Sequence, residues 1–439
     1  PKSRGASQED GVHMEVKPGY KQTEIGVIPE DWEAIRLRDC IDLKNGYAFE
    51  SAFFSDRGHL LLTPGNFSRT GRLIFDSTNT KRFCGVYPHN SLLSKGDLLL
   101  VMTDLTPDCK LLGKPAIVNI EEPLLHNQRI AKVSNNGRVA INGFLFYTFL
   151  SDRYLKYLKD RATGSTVRHT SLSIISSFKM ALPPKEEQNA IADTLSDIDT
   201  LITSLEKLIE KKKLIKQGVM QELLTGKKRL PGFTGKWETK TYGDAFQFLN
   251  TANYSRDALI DNGDFRYIHY GDIHTKFDGY LDLANSDIPC IRQEQVKSYA
   301  LVKSGDVIMA DASEDYSGIG KSVEVINDCD VKAIAGLHTF LLRDTEQLFV
   351  NGYRSYIYAI ESIKKQFDFL ATGMKVFGVS KSNLKKVVIP VPPKEEQKAI
   401  VNVIGSIANE ISSYEIQLSK YRLLKQATMQ ELLTGRIRL

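Results

Sequence analysis

Pro183–Gln188 reads PPKEEQ, and Pro392–Gln397 reads PPKEEQ again. After the first copy, apolar residues fall at Ile191, Leu195, Ile198, Ile202, Leu205 and Ile209, in steps of 4, 3, 4, 3 and 4. After the second they fall at Ile400, Ile404, Ile407, Ile411, Tyr414 and Leu418, in the same steps. Alternating steps of four and three place these side chains on one stripe of an α-helix, the seam of a coiled coil. The prolines punctuate the start, and Glu186 and Glu187 suit the positive end of the helix dipole. Both runs end in LLTG, where Gly226 and Gly435 are natural C-terminal stops. Two helices of about 35–40 residues are predicted, roughly 55–60 Å long at 1.5 Å per residue.

Charge sets how the two helices pair. The first carries Glu186, Glu187, Asp193, Asp197 and Asp199 early, then Lys207, Lys211, Lys212, Lys213 and Lys216. The second carries Glu395, Glu396, Glu410 and Glu415 before Lys420, Arg422 and Lys425. Each gradient complements its own helix dipole, but only antiparallel pairing also sets acid against base.

The helices belong to a longer repeat. The same 209 positions separate Pro183 from Pro392, Met220 of MQELLTG from Met429 of its second copy, and Ala162 of ATG from Ala371. KGDLLLVMTD at Lys95–Asp104 matches SGDVIMADAS at Ser304–Ser313 in that register. Upstream it slips: Trp32 and Trp237 lie 205 apart, Gly65 and Gly271 206 apart, as small loop insertions produce. The chain is therefore one unit of about two hundred residues written twice. Residues 17–182 and 227–391 form two similar α+β heads, 183–226 and 392–439 the two spacer helices, with an internal pseudo-two-fold, circular arrangement. Strand-like runs such as DLLLVM, PAIVNI and DVIMA, cut by Gly, Asn and Pro turns, predict a twisted, barrel-like sheet in each head. Helical segments are expected near Phe144–Leu158 and Phe349–Lys365. An antiparallel pair would bring Leu439 back towards Trp32.

Bulk composition narrows the class. The 439 residues are 42% hydrophobic and 25% charged, with net charge +5 and pI about 8.7, which permits a nucleic-acid partner without demanding one. Cys40, Cys84, Cys109, Cys290 and Cys329 are scattered with no C-x-x-C pair, which argues for reduced thiols in the cytoplasm and against a zinc site. No apolar run approaches the roughly 18 residues of a membrane span. The polar opening, residues 1–16, reads as a disordered expression remnant, with the natural chain starting near Met14.

Two variable heads between two repeated long helices, each opened by PPKEEQ, resemble the specificity subunit of Type I restriction–modification systems. GVIPEDWE at Gly26–Glu33, PPKEEQNAIADTLSDID at Pro183–Asp199, MQELLTGKKRLPGF at Met220–Phe233, YIHYGDIHTK at Tyr267–Lys276 and the second copies carry the likeness, which spans the chain from about Tyr20. The resemblance implies that each head reads one half of a bipartite double-stranded DNA site. The helices would be a spacer that docks adenine methyltransferase subunits, usually two, with a restriction subunit able to join. It also implies a non-catalytic chain without a cofactor: S-adenosylmethionine would sit in the methyltransferase, ATP and Mg in the restriction partner. Two readers on a rod suit half-sites about one helical turn apart, roughly 34–36 Å, and non-identical heads suit an asymmetric site.

Reading base edges needs polar and basic side chains on loops, with phosphate contacts to position them. In the first head the candidates are Lys44, Tyr47, Arg69, Arg72, Lys81, Arg82, Asn127, Gln128, Arg129, Thr166, Arg168 and His169. In the second they are Arg256, His269, His274, Lys276, Tyr316, Lys375 and Lys381. Asn127 and Gln128 could equally satisfy backbone groups, and any one cation could be a solvated surface residue. ATGSTVRHT and ATGMKVFGVS share a scaffold but differ at the tip, as readers of different sequences require.

Catalytic signatures are lacking. GIGKS at Gly318–Ser322 ends like a phosphate-binding loop, but the earlier glycine falls at Asp315. PDCK at Pro107–Lys110 lacks the spacing of a nuclease carboxylate–lysine set, and His269 and His274 lack metal-ligand spacing. No glycine-rich S-adenosylmethionine motif is present, nor an NPP-aromatic or DPP-aromatic tetrapeptide. Three rivals remain at this level: a helical scaffold whose heads bind protein, a methylation-only complex without a restriction partner and, more weakly, a nuclease that mutation of Asp108 and Lys110 would test.

Overall fold

A computed structural model of the chain describes residues 16–106, 108–135, 139–284, 287–314, 318–326, 330–371, 373 and 377–439. The polar opening up to residue 15, Cys329 and the candidates Tyr316 and Lys375 lie outside the described residues. Two compact units emerge: Pro1–Leu205 with Gln417–Leu439, and Glu206–Ile416. Each contains a head, part of one long helix and part of the other.

Both long helices form as the seam predicts, Lys185–Leu224 and Lys394–Leu433, 40 residues each. Gly226 and Gly435 follow them with φ of +69° and +71°, so the chain leaves each helix through the left-handed region that glycine enters without strain. In the first unit Ile191, Leu195, Ile202, Leu205 and Leu418 are buried, and Ile198, Met429 and Leu433 pack against the first unit's core. Ile209, Ile400, Ile404 and Ile411 are buried in the second unit, while Ile407 and Tyr414 are half-buried. The pairing is antiparallel in both. Lys425 Nζ meets the Asp199 carboxylate at 2.6 and 2.8 Å in the first unit. In the second, Lys212 reaches Glu410 at 2.5 Å and Lys213 reaches Glu415 at 2.7 Å.

The heads are built alike. A four-stranded antiparallel sheet in the first runs Pro115–Ile117, Leu98–Val101, Ile130–Asn135, Ile41–Asn45. Its counterpart in the second runs Tyr280–Leu281, Ser322–Val325, Val307–Ala310, Thr339–Arg343, Gln247–Leu249, with the first pair parallel. A mixed sheet accompanies each, centred on the parallel pair His59–Leu62 and Leu124–His126, or Phe265–Ile268 and Lys332–Ala335. These strand orders are linear, so the barrel-like expectation gives way to separate open sheets. A short antiparallel ladder closes the base of each head, Glu33–Arg36 with Lys179–Leu182 and Glu238–Thr241 with Val388–Val391.

The helical stretch expected at Phe144–Leu158 is two helices, Asn142–Leu150 and Asp152–Lys159. Ser151 breaks it by taking an extended ψ of 142°, and its hydroxyl accepts from the Tyr154 N–H at the second helix's start. In the second head Arg354–Ile357 and Glu361–Leu370 take these places. Trp32, Leu37, Phe144, Phe149 and Tyr154 anchor the first head's core; Tyr242, Tyr353, Ile360 and Phe367 anchor the second's. Among the described residues no helix is long and apolar enough to cross a membrane.

Candidate nucleic-acid interface

The repeated PPKEEQ is where a head is locked to its helix. In the first unit the Trp32 indole N–H donates to Glu187 Oε2 at 2.8 Å. Arg438, from the tail after the second helix, reaches the same carboxylate through Nε at 2.6 Å and Nη2 at 2.8 Å, and grips Asp31 at 2.9 and 2.7 Å. The guanidinium's hydrogen bond holds the Asp31 carboxyl below its usual range. Gly435 sits so close that a Cβ would lie 2.5 Å from Pro29. In the second unit Trp237 donates to Glu396 at 2.8 Å, and Arg229, from the tail after the first helix, donates to the same carboxylate through Nε and through Nη2 at 2.6 Å. Glu187 and Glu396 are 6% and 1% exposed, so they are structural acceptors as well as residues at the positive helix end.

The glutamine that follows pins the loop entering the head's helical layer. Gln188 accepts from the Ile141 N–H at 2.9 Å and donates to the carbonyls of Val139 and Pro183. Gln397 accepts from Val350 N–H at 2.9 Å and donates to Leu348 and Pro392. Both side chains are fully buried. A fixed base therefore carries each head.

On that base the first head brings four separate segments side by side. Tyr47 N–H donates to the His126 carbonyl at 2.8 Å, and Gln128 N–H to that of Tyr47 at 3.0 Å. Met102 N–H donates to Arg129 at 2.9 Å, and Thr170 N–H to Met102 at 2.9 Å. Thr103 pairs with His169, and Asp104 with Arg168. Tyr47, Asn127, Gln128, Arg129, Arg168 and His169 thus share one strip. Lys44 lies on the strand leading into it and Thr166 in the hairpin loop above His169.

Their side chains have different duties. Gln128 and Arg129 are exposed, whereas Asn127 Oδ1 accepts from the Arg129 N–H at 2.9 Å and so holds the turn. The His169 ring is hydrogen-bonded through Nδ1 to Thr103 at 3.0 Å, and Arg168 has its Nε buried without a partner among the described residues. The remaining candidates lie elsewhere on the head. Arg69 and Arg72 flank Gly71, which packs on the Phe146 ring. Lys81 sits 5.7 Å from the Phe54 ring centre, and Arg82 is paired with Glu122 and donates to the Gly58 carbonyl at 3.0 Å.

The second head repeats the backbone frame and changes the tips. Ala252 N–H donates to Ala335 at 2.9 Å, Asp311 to His338 at 3.1 Å, and Val379 to Asp311 at 2.9 Å. Ala312 pairs with Gly378, and Ser313 with Phe377. Ala252 therefore stands where the first head has Tyr47, Asp311 where it has Met102, His338 where it has Arg129, and Gly378 where it has His169.

Several predicted residues here are already committed. His269 is buried, its Nδ1 accepting from Gly271 N–H at the start of the helix Tyr270–Thr275, and burial with Arg256 nearby lowers its pKa. Arg256 is paired with Asp272 at 3.1 Å. His274 Nε2 lies 2.9 Å from the Ala312 carbonyl, and Lys276 is paired with Asp287 at 3.1 Å. Lys381 is exposed, 5.5 Å from the Phe248 ring centre. Sequence reasoning missed Asp311 and His338, and covered Tyr270 only within the candidate loop His269–Lys276 without singling it out. His338 could have been found by adding the constant offset to Arg129.

The catalytic lookalikes have structural partners. Lys321 of GIGKS donates to the His274 carbonyl at 3.0 Å, and Lys110 is paired with Asp108 at 2.7 Å on the surface. Among the described residues no three His, Cys, Asp or Glu side chains gather as metal ligands would.

Comparison with known proteins agrees with this architecture. The family described as Type I restriction modification DNA specificity domain matches twice, over residues 29–217 and 234–419. The Type I restriction enzyme MjaVIII specificity subunit of Methanocaldococcus jannaschii is 24% identical over 429 residues, covering 94% of each chain. The crystal structure of the Type I restriction–modification S subunit from M. genitalium shares the fold with a TM-score of 0.51 at 15% identity, over 92% of this chain and 96% of that one. A chain from structural work on assembly and conformational transition of the type I R-M system gives 0.57 at 16% identity, over 93% and 99%.

Proposed function

The chain belongs to the Type I restriction–modification DNA specificity family, and from that premise we propose that it reads an asymmetric, bipartite double-stranded DNA site and directs adenine methyltransferase subunits to it. Residues 17–182 and 227–391 are the readers, and the helices at 183–226 and 392–439 are the spacer and the docking rod for two methyltransferase subunits, which a restriction subunit joins. One observation carries this reading: the two heads repeat a single backbone frame on matching Trp–Glu–Arg and glutamine junctions while exchanging the side chains at its tips. A base-reading pair needs that combination, since positioning is shared and specificity is not. Chemistry is supplied by partners: S-adenosylmethionine is held by the methyltransferase, ATP and Mg by the restriction subunit. The chain itself is the non-catalytic subunit of a cytoplasmic complex.

Purified alone, the chain should methylate nothing; assembled with its methyltransferase subunits it should methylate adenine in both halves of a split site. Exchanging residues 32–182 for another member's head should alter one half-site only, and alteration of both would sink the two-reader assignment. Affinity for the site should fall steeply with salt as phosphates recapture counterions. Salt-insensitive binding would favour heads that bind protein.

A further inference from the structure

His338 is held in an unusual state. Its φ is +56°, in the left-handed region that few side-chain-bearing residues enter. The turn that imposes this is tight: a Cβ on Gly336 would lie 2.3 Å from the Tyr267 ring, and the Thr339 hydroxyl donates back to the Gly336 carbonyl at 2.6 Å. The ring is then fixed from two sides. Nδ1 lies 3.1 Å from Asp311 Oδ1, and the Tyr270 ring meets it nearly edge-on at 5.3 Å. Even so, the side chain is 51% exposed, and its Nε2 has no hydrogen bond among the described residues.

An Asp311 carboxylate only accepts hydrogen bonds, so beside it Nδ1 carries the proton and, in that tautomer, Nε2 presents a lone pair. Arg129 at the equivalent place of the first head can only donate.

We propose that His338 is a specificity-determining residue of the second head, positioned by Asp311 and Tyr270, and that its Nε2 accepts a hydrogen bond from the exocyclic amino group of adenine or cytosine in the major groove. Those two bases donate at that edge, whereas guanine and thymine offer acceptors. The equivalent position of the first head, Arg129, reads the opposite polarity and takes guanine. This rests on the heads being DNA readers.

The test uses the full chain assembled with its methyltransferase subunits and maps methyladenine in DNA exposed to the complex. Wild type should specify a single base pair at one position of one half-site. His338→Gly, which keeps the left-handed backbone, should relax that position alone, with discrimination falling about 10- to 100-fold, the worth of one good base contact. His338→Arg should shift the same position to guanine, and Asp311→Asn, which also permits the other tautomer, should blunt the preference. An unchanged motif in the His338 variants, or a loss of activity with the motif unchanged, overturns the inference while leaving the two-reader function intact. A wild-type complex that methylates no split site overturns both.

Discussion

Ile117 and Leu145 of the first unit belong to one apolar core, while the second unit has Glu324 and Arg354 at the same two places. Arg354 donates to Glu324 at 2.9 Å, to Asp344 at 3.1 Å and to the Phe349 carbonyl at 2.7 Å; Glu324 also accepts from the N–H groups of Gly352 and Ser355. Burial pushes the Glu324 carboxyl above its usual range despite these partners. One backbone thus tolerates two chemically opposite interiors. Its geometry is set by what the units share, the Trp–Glu–Arg junction and the buried glutamine, rather than by core composition.

The largest expected effect breaks the ionic interior. Arg354→Leu alone leaves Glu324 and Asp344 buried without their cation and should cost the second unit about 3–5 kcal/mol, read by denaturant unfolding with hydrogen exchange to localise the loss. The triple change Glu324→Ile, Asp344→Asn, Arg354→Leu installs the first unit's residues and should recover most of it. A triple variant as weak as the single one would show that the two interiors are not interchangeable.

Next comes the shared element. Gln188→Leu strands the Ile141 N–H and the carbonyls of Val139 and Pro183, for a loss of about 2–3 kcal/mol, given roughly 1–3 kcal/mol for each buried group left unpaired and some relaxation. Gln397→Leu should cost the second unit as much. Unequal losses in the same unfolding measurement would end the equivalence of the junctions.

Smaller effects are expected along the seam. Lys425 is largely buried against Asp199, which also accepts from the Tyr147 hydroxyl at 3.0 Å. Lys425→Ala should lower the first unit's stability by about 1 kcal/mol. Lys212→Ala removes a more exposed contact to Glu410 and should have the weaker effect, fading in salt. The reverse order in matched melts would mean that the exposed pair holds the rod.

Much of this was legible in the sequence because periodicity and repetition are local signals. The 4-3 steps located both helices, the charge gradients gave their antiparallel sense, and Gly226 and Gly435 marked the stops. Glu187 was legible only as a helix-end acid, because its partners Trp32 and Arg438 lie 155 and 251 positions away. Candidate site residues were chosen by type, and type does not separate exposed Arg129 from Arg82, already paired with Glu122. What sets His338 apart, a left-handed backbone and an Asp311 tether, is tertiary and does not show in residue type. The 209 offset could have nominated it, had the heads been aligned tip by tip.

A pH-dependent effect contrasts His126 with Ala335, its equivalent in the second head. His126 is buried with Nε2 2.9 Å from the Ile130 carbonyl, and burial lowers its pKa, with that hydrogen bond opposing. The folded first unit therefore binds fewer protons than its unfolded chain as pH drops below about 6.5. Stability is complete above that value and falls as the pH falls, by at most about 1.4 kcal/mol per pH unit until the folded pKa is reached. His126→Gln keeps a donor for Ile130 without a titrating ring, so it should flatten that slope in the first unit between pH 6.5 and 5. The second unit has its own buried imidazole, His269, and should keep its acid sensitivity in this variant. If unit-resolved hydrogen exchange shows the first unit's slope unchanged, His126 does not set it; Asp31, held below its usual range by Arg438, stays ionised across that window and loses its pairing only at lower pH.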